Sequence, residues 1–382
     1  MVGMRDVAKK AGVSLSTVSL VVNGTGYVSD EMRDRVSEAM RSLNYIPNEL
    51  ARNLYHDRTN IVGVIVPTIR HPFFATLTAN LQREFSARGL RTLLCSTMDT
   101  DSGETEYVDR LRRRMMDGIV VSSHTTHDPE YWESVGRSVV AFDRFLGSNI
   151  PSVGSDHEQG GRLIAEQLIS SGARHVAMIG GPREQFHDRP MGEGTTFPTI
   201  RYYLTLEGEL DRAGIRHNYI EAGEVYDFGG YGSAVREVFE RYDGEDAVDA
   251  VVCSDIGAAY CVQEAMRRGI RIPEDLQIIA YDGTYLADVA GMRLTAVCQN
   301  FESIAAAIAT RMMDAIEGSP AEGAGASALG AEPDAEGAGE GGSGEAGDAG
   351  DAIRADGIAG TEAAAESSVF VPVRMRAGET TR

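Results

Sequence analysis

Apolar residues in the first 46 positions recur with the spacing of short amphipathic helices. The residues that share the buried faces of the first two helices are Val7, Ala8, Ala11, Val18, Val21 and Val22. Gly12 supplies a tight turn between these helices, because glycine adopts positive φ at little cost. Ser14 stands where a hydroxyl caps the second helix, and Ser29 where a third helix begins. The pattern therefore predicts an all-α N-terminal unit.

From residue 61 the pattern changes to continuous apolar runs, which are typical of parallel strands buried on both faces. The predicted strands are 61–66, 92–96, 118–122, 139–143, 152–156, 176–180, 248–253 and 276–281. Helical segments near 73–88, 103–116 and 157–171 separate several of them. Strands that alternate with helices, and a restart of the pattern near 157, predict an α/β core with parallel sheets and two similar lobes.

Residues 318–368 are rich in Gly, Ala, Glu and Asp and lack the apolar residues that offset chain entropy by burial. We predict that they form a disordered acidic insertion. A neutral spacer is the favoured interpretation and an acidic interaction segment is the alternative. A folded core tolerates either, because loop-closure entropy grows slowly with length. Apolar residues return at 369–375, which predicts a further strand.

The distribution of charge changes what the net value of −21 implies about DNA binding. Eleven acidic residues against one arginine lie in 319–367, whereas the first 60 residues carry eight basic and seven acidic residues. A weakly basic N-terminal unit on an acidic body predicts modest non-specific affinity for DNA and reliance on a few aimed phosphate contacts. Two copies would double those contacts, so we expect a dimer.

Cysteine usage and hydropathy indicate the compartment. The scattered thiols, which predict small buried side chains in a reducing compartment rather than a zinc site, are Cys95, Cys253, Cys261 and Cys298. No run reaches the roughly 18 apolar residues of a membrane span, and the first 22 residues contain no apolar signal region. We expect a cytoplasmic protein without membrane contact.

Two short helices joined by a glycine turn form the unit whose second helix enters the major groove of DNA. An ordinary helical subdomain explains the same spacing, so the residues that follow are needed to decide. The segments that decide are Asp6-Val7-Ala8, Ala11-Gly12-Val13-Ser14, Thr17-Val18-Ser19, Val22-Asn23, Val28-Ser29, Arg33, Val36, Tyr45-Ile46-Pro47-Asn48, Ala51-Arg52 and Leu54. Together they resemble the headpiece of the lac-repressor (LacI/GalR) family of bacterial transcription regulators.

The resemblance implies a multidomain chain with a helix-turn-helix headpiece at 1–46 and a hinge helix with its linker at 47–60. It implies two periplasmic-binding-protein-like lobes with an effector in the cleft between them. The lobes are expected at 61–156 with 298–317, and at 157–297 with 369–376. It further implies a homodimeric repressor of carbohydrate-utilisation genes that binds a pseudo-palindromic double-stranded operator.

Residues expected to contact DNA follow from the same resemblance. They are Arg5, Ser14, Leu15, Ser16, Thr17, Ser19, Leu20, Asn23, Tyr45, Asn48, Ala51, Arg52 and Leu54. A hinge helix of barely two turns is not stable alone, so we expect it to order when two copies pack together on DNA. The resemblance implies that Leu54 of each subunit then wedges between base pairs in the minor groove. The alternative is that Leu54 packs against the body as a linker residue.

Residues expected to contact the effector lie at or near strand ends, where parallel sheets bind ligands. They are Thr68, His71, Phe73, Phe74, Asp143, Asp156, Arg201, Phe228, Asp255, Asp282 and Gln299. Carboxylates, an arginine fork and aromatic faces together suit a sugar. The alternatives are that the phenylalanines belong to the core and that any single carboxylate caps a helix. Which aromatic stacks on the ligand stays open among Tyr226, Phe228 and Tyr231.

Regulation, catalysis and cofactors complete the expectations. We hypothesise that the effector favours a lobe arrangement that separates the hinge helices and releases DNA. The run 124–128 contains two histidines and an aspartate but no third ligand at metal spacing, so we expect a solvated loop, no metal and no cofactor. We expect no catalytic residue. A solute-binding protein of the same core fold is the alternative, although it would have no use for residues 1–56.

Overall fold

The chain is described from a computed structural model, which covers residues 2–47, 58–100, 102–123, 125, 127–185, 200–241, 244–318 and 368–382. It divides into two compact units, Met1–Thr59 and Asn60–Arg382. Most of the predicted hinge, 48–57, and the predicted insertion from 319 to 367 lie outside the described residues.

The first unit consists of three helices, α1 (Met4–Ala11), α2 (Leu15–Asn23) and α3 (Asp30–Ser42). Gly12 ends α1 with a φ of 64°, and the Ser14 hydroxyl accepts a hydrogen bond from the Thr17 amide at 3.1 Å. The residues that form its buried core are Val7, Ala8, Ala11, Val18, Val36 and Ala39. The predicted all-α helix-turn-helix unit is confirmed.

The second unit alternates strands with helices. Its strands are β1 (Ile61–Val66), β2 (Arg91–Ser96), β3 (Gly118–Val121), β4 (Ser138–Phe142), β5 (Ser152–Ser155), β6 (His175–Gly180), β7 (Arg216–Glu221), β8 (Ala250–Ser254), β9 (Gln277–Asp282), β10 (Thr295–Cys298), β11 (Ser368–Val371) and β12 (Arg374–Arg376). Its helices are α4 (Pro72–Ala87), α5 (Glu104–Arg112), α6 (Pro129–Glu133), α7 (His157–Ser170), α8 (Ile200–Ala213), α9 (Phe228–Arg241), α10 (Asp255–Arg268), α11 (Leu286–Val289) and α12 (Phe301–Gly318).

Two six-stranded sheets give the second unit two lobes. The first sheet has the order β11-β5-β4-β3-β1-β2 and the second has the order β12-β10-β9-β8-β6-β7. All pairs are parallel except β12, which runs antiparallel to β10. Apolar clusters fill both faces of each sheet. The predicted two-lobed α/β core is confirmed.

The C-terminal strand assignment is corrected by the pairing. We expected 369–375 to form one strand of the second lobe, but the segment splits between the sheets. Ser368–Val371 pairs with β5 in the first sheet, and Arg374–Arg376 pairs with β10 in the second. Pro372 lies between them, and proline has no amide hydrogen to continue a ladder. The chain therefore crosses between the lobes at this point.

The lobe boundary at 298 is also shifted. Cys298 is the last residue of β10 and pairs with Asp282, so it belongs to the second lobe. Helix α12, which follows, packs on α4 and β4 of the first lobe. Strand β7 was not predicted, because its sequence Arg-His-Asn-Tyr-Ile-Glu lacks an apolar run. It is an edge strand and is largely exposed or half-buried.

Candidate ligand cleft and nucleic-acid interface

A cleft with an empty volume of about 940 Å³ lies where the carboxyl ends of the two sheets face each other. Residues of the first lobe line one side, and residues of the second lobe line the other. Because parallel strands of both sheets end here, the side chains that follow each strand converge on one space. The predicted residues that line the cleft are His71, Phe73, Phe74, Asp143 and Asp282.

His71 and the two phenylalanines enter from the start of α4. The His71 ring accepts a hydrogen bond through Nδ1 from the Phe73 amide at 3.3 Å and so caps the helix. Burial lowers the pKa of His71 to about 4, so its ring is neutral at pH 7. Phe73 and Phe74 are buried and meet edge to face at 5.1 Å, which makes them both core residues and lining residues.

Asp143 and Arg144 enter directly after β4. Asp143 is 5% exposed and has a φ of 48°, a region that few non-glycine residues adopt. Its Oδ1 accepts a hydrogen bond from the Ser155 amide at 3.1 Å. Arg144, which the sequence analysis did not select, donates to the carbonyl oxygens of Ser123 and Asp143 at 3.0 and 2.5 Å. Burial lowers the pKa of Arg144 to about 10, and the side chain still carries its charge at pH 7.

Tyrosines dominate the side of the cleft that belongs to the second lobe. The five that line it are Tyr202, Tyr203, Tyr219, Tyr231 and Tyr281. The rings of Tyr202 and Tyr281 stack at 3.9 Å with an interplanar angle of 8°. Tyr203 donates to the Ile179 carbonyl and Tyr219 to the Gly181 carbonyl, both at 2.7 Å. These bonds fix the hydroxyl groups of Tyr203 and Tyr219, and the five side chains together form an aromatic wall of the cleft.

Sequence analysis missed all of this wall except Tyr231, which was one of three alternatives. A signal was present in the adjacent pair Tyr202-Tyr203, because two tyrosines on the buried face of a helix need partners for their hydroxyl groups. Of the other two alternatives, Tyr226 is 42% exposed, and Phe228 lies beside the cleft. Phe228 stacks on the His71 ring at 6.2 Å and lies 4.9 Å from the Arg70 guanidinium.

Asp282 closes the cleft from the end of β9. It is 8% exposed, has a φ of 111°, and accepts from Gln299 Nε2 at 2.8 Å. Burial, followed by the nearby Asp255 carboxylate, raises the pKa of Asp282 well above its usual range. The next residue has to be glycine, because a Cβ on Gly283 would lie 2.7 Å from Cα of Cys298.

Two predicted carboxylates are structural instead of lining the cleft. Asp156 caps α7 by accepting from the Gln159 amide at 2.8 Å. Asp255 accepts from the amides of Gly283 and Thr284 at 3.1 and 2.6 Å and thereby fixes the turn after β9. Burial raises the pKa of Asp255 to about 6. The helix-cap alternative therefore describes Asp156, and a turn-fixing role describes Asp255.

Three further predicted residues lie outside the lining. Thr68 is buried and donates to Asp99 Oδ1 at 3.0 Å. The Arg201 guanidinium lies 3.6 Å from a Glu158 carboxylate oxygen, and the preceding residues 186–199 are not described. Gln299 supports Asp282 from behind. These three residues are therefore not among those that line the cleft.

The candidate nucleic-acid interface lies on the first unit. Leu15 and Ser16 are exposed at the start of α2, and Arg5 is exposed on α1. The predicted DNA-contact residues that are half-buried are Thr17, Ser19, Leu20, Asn23 and Tyr45. The Ser14 hydroxyl lies 2.7 Å from the Ser16 hydroxyl and 2.8 Å from that of Thr17, which joins three polar groups at the helix start. Predicted contacts at Asn48, Ala51, Arg52 and Leu54 lie outside the described residues.

Tyr27 is an exposed aromatic residue that the sequence analysis did not select. It lies in the loop between α2 and α3 and is 94% exposed. A large aromatic ring in a loop, next to Gly26 with its φ of 69°, was a signal for a surface contact.

In the described part of the chain, no group of three metal-binding side chains is found. No helix among these residues is long and apolar enough to cross a membrane.

Comparison with known families and proteins identifies the parts of the chain. Residues 3–48 match the family of bacterial regulatory proteins of the lacI family. Residues 59–196 match the periplasmic binding proteins and sugar binding domain of the LacI family, and residues 165–332 match a periplasmic binding protein-like domain.

Curated relatives cover most of the chain. The ribose operon repressor of Halalkalibacterium halodurans is 33% identical over 82% of this chain and 89% of its own length. The sucrose operon repressor of Streptococcus mutans is 33% identical over 79% of this chain and 89% of its own length. A solved lac repressor dimer, bound to operator and the anti-inducer ONPF, shares the fold with a TM-score of 0.72 at 19% identity, covering 100% of this chain and 99% of its own. The chain belongs to the lacI family of bacterial regulatory proteins.

Proposed function

We propose that the protein is a repressor of carbohydrate-utilisation genes and that a sugar-like effector in the cleft controls its affinity for the operator. One observation carries this proposal: the buried carboxyl groups of Asp143 and Asp282 lie in the same cleft as a wall of tyrosine rings. Carboxylates accept hydrogen bonds from sugar hydroxyl groups, and aromatic faces pack on the apolar face of a sugar ring. Hydrogen bonds to these two carboxyl groups are stronger than at the surface, because both side chains are buried.

The charge of the cleft favours an uncharged ligand. His71 is neutral at pH 7 because its pKa is about 4. The Arg144 guanidinium is engaged by backbone carbonyl oxygens, and Asp143 adjoins it. An anionic ligand would face the Asp143 carboxylate, and the engaged Arg144 guanidinium would offset only part of its desolvation cost. The described lining residues therefore support a neutral polyol over a sugar phosphate.

The first unit supports recognition of a double-stranded operator. Helix α2 presents Leu15 and Ser16 to solvent, which suits apolar contact with a thymine methyl and hydroxyl bonds to base edges. The ribose and sucrose relatives are named as operon repressors, which supports a role at sugar genes. We propose that two copies bind a pseudo-palindromic site and that Leu54 of each inserts in the minor groove. On this proposal the protein acts in the cytoplasm and catalyses no reaction.

We propose that the effector releases DNA. A ligand that contacts both lobes favours one lobe arrangement over others, and it shifts the equilibrium by its difference in affinity between them. If the favoured arrangement separates the two hinge segments, the half-site spacing is lost and operator affinity falls. The solute-binding alternative explains the cleft but gives no role to the helix-turn-helix unit.

Capture of genomic DNA tests the DNA-binding proposal. Sheared genomic DNA of the source bacterium is passed over the immobilised protein, with and without D-ribose or sucrose, and retained fragments are sequenced. We expect retention of a small set of fragments that lie beside sugar-utilisation genes. Leu54→Ala should lose most of this retention, whereas Phe370→Ser, at an exposed position of β11, should keep it. Retention of no specific fragment under any condition would contradict the proposal.

A further inference from the structure

A buried histidine lies where the chain first crosses between the lobes. His157 is the first residue of α7, directly after the crossing from β5, and is 3% exposed. It does not line the cleft. Its two ring nitrogens are nevertheless bonded to residues that do, one from each lobe.

The bonds of His157 determine its tautomer. Nε2 lies 3.2 Å from Asp143 Oδ2 of the first lobe, and Nδ1 lies 2.7 Å from the Tyr281 hydroxyl of the second lobe. A carboxylate only accepts, so Nε2 carries the proton, and Nδ1 then accepts from the Tyr281 hydroxyl. His157 therefore joins the two lobes by donating a hydrogen bond to Asp143 and accepting one from Tyr281.

A second path joins the same residues and closes a ring. The Ser155 amide donates to Asp143 Oδ1 at 3.1 Å, and the Ser155 hydroxyl donates to Gln299 Oε1 at 2.6 Å. Gln299 Nε2 donates to Asp282 Oδ1 at 2.8 Å, and Asp282 follows Tyr281 in the chain. We name Asp143, Ser155, His157, Tyr281, Asp282 and Gln299 the crossover ring. The chain passes between the lobes three times. The crossover ring connects two of these passages, after β5 and after β10, by hydrogen bonds to the carboxyl groups that line the cleft.

Two glycines make room for the crossover ring. A Cβ on Gly154 would lie 2.6 Å from Asp143 Oδ1, and a Cβ on Gly160 would lie 2.7 Å from the Tyr281 hydroxyl oxygen. Both distances are shorter than any ordinary contact, so a side chain at either position would displace a member of the ring. The packing of two separate elements is thus adapted to these bonds.

We propose that His157 is a positioning residue that couples contact of the effector with Asp143 to the second lobe through Tyr281. This inference rests on the proposed effector cleft. The bond to His157 commits the Tyr281 proton, and each Asp143 oxygen already accepts one bond. Both groups therefore offer lone pairs to the cleft and select ligands that donate, such as vicinal hydroxyl groups. A ligand that binds both groups adds a further link between Asp143 and Tyr281 and thereby favours a single angle between the lobes.

The distance between the lobes tests the coupling without any ligand or DNA. Fluorophores on Ser86→Cys in α4 and Ser233→Cys in α9, both exposed, report the angle between the lobes by single-molecule energy transfer. Tyr281→Phe removes only the bond to His157, and His157→Phe removes both bonds. We expect Tyr281→Phe to raise the ratio of open to closed populations by about fivefold to tenfold, the effect of losing one hydrogen bond, and we expect His157→Phe to raise it further.

A matched control removes a tyrosine hydroxyl that bonds within one lobe. Tyr107 is buried, and its hydroxyl donates to the Ser96 carbonyl at 3.3 Å. Tyr107→Phe should leave the distance distribution unchanged, and circular dichroism confirms that each variant folds. The coupling is overturned if Tyr281→Phe behaves as the unsubstituted protein, or if Tyr107→Phe opens the lobes equally.

Nitrogen NMR of the imidazole ring gives a second readout that loss of packing alone would not change. We expect the signals of a ring that carries a proton on Nε2 and accepts a hydrogen bond at Nδ1, and we expect Tyr281→Phe to alter the Nδ1 shift. A proton on Nδ1 would contradict the assigned bonds. Because neither measurement needs DNA or sugar, failure here is distinct from failure of the DNA capture.

Discussion

The two lobes share a sheet topology but build their sides of the cleft from different chemistry. The first lobe supplies three groups that carry or can carry charge, His71, Asp143 and Arg144, and each is held by backbone groups. The second lobe supplies five tyrosine rings and two carboxyl groups, those of Glu224 and Asp282. A ligand therefore meets fixed hydrogen-bond partners on one side and flat apolar faces on the other. The difference indicates that the first lobe orients the ligand and the second lobe contributes contact area.

The largest expected effect comes from removing the carboxylate of the first lobe. Asp143→Asn should weaken binding of the sugar found in a thermal-shift screen by about 100-fold, because it loses charge-assisted hydrogen bonds worth about 3 kcal/mol in total. Titration calorimetry measures this. Asp156→Asn is the matched control, since asparagine also caps helices and Asp156 lies outside the lining. Equal losses in both variants would show that Asp143 makes no direct contact.

A smaller effect concerns the neutral histidine of the first lobe. His71 titrates at about 4 in the folded chain and near 6.5 when unfolded. The unfolded state therefore binds the extra proton first, and stability falls as pH drops from 6.5 towards 4. His71→Asn keeps an N-cap but cannot titrate. Between pH 7 and pH 5 the unsubstituted protein should lose about 2 kcal/mol of unfolding free energy through His71. The His71→Asn variant should not show this loss.

Denaturant unfolding of the unsubstituted protein and His71→Asn between pH 7 and pH 5 measures this difference. The two stability curves should converge or cross as the pH falls. Parallel curves would mean that His71 is solvated enough to titrate normally in the folded state. The cleft would then tolerate a positively charged imidazolium at this position.

The smallest effect distinguishes the aromatic residues of the second lobe. Tyr231→Leu should weaken ligand binding about fivefold, because the ring lines the cleft and aromatic contact contributes about 1 kcal/mol. Tyr226→Leu should change affinity less than about twofold, because the side chain is 42% exposed and does not line the cleft. The reverse order would assign ligand stacking to Tyr226 and would require a different loop arrangement.

Sequence analysis predicted the first lobe's side of the cleft better than the second's. Asp143 directly follows β4, and His71, Phe73 and Phe74 lie at the start of the helix that follows β1; in parallel sheets such positions converge. In the second lobe, the tyrosines come from the buried face of α8, from α9 and from within β7 and β9. Their meeting depends on how those elements pack, and the sequence pattern carries no information on that packing.

Most of the fold followed from the apolar pattern, but the short strand β10 was not predicted, and neither were features where polar sequence or proline interrupts the pattern. The edge strand β7 has little apolar character, so the pattern did not reveal it. Pro372 divides the last strand between two sheets, and pairing partners far apart in the chain decide where each half goes. The crossover ring was equally hidden, since Asp143 and Tyr281 are bridged by a histidine that no motif singles out.

The central claim is that a neutral sugar in the cleft reduces affinity for the operator. Fluorescence anisotropy with an operator fragment recovered by the DNA capture, at fixed salt concentration, measures this affinity with and without the sugar. We expect the operator Kd to rise by about tenfold or more when the sugar saturates the cleft, and to change little in Asp143→Asn at the same sugar concentration. An operator Kd that falls, or that stays constant although the sugar is bound, would contradict the claim.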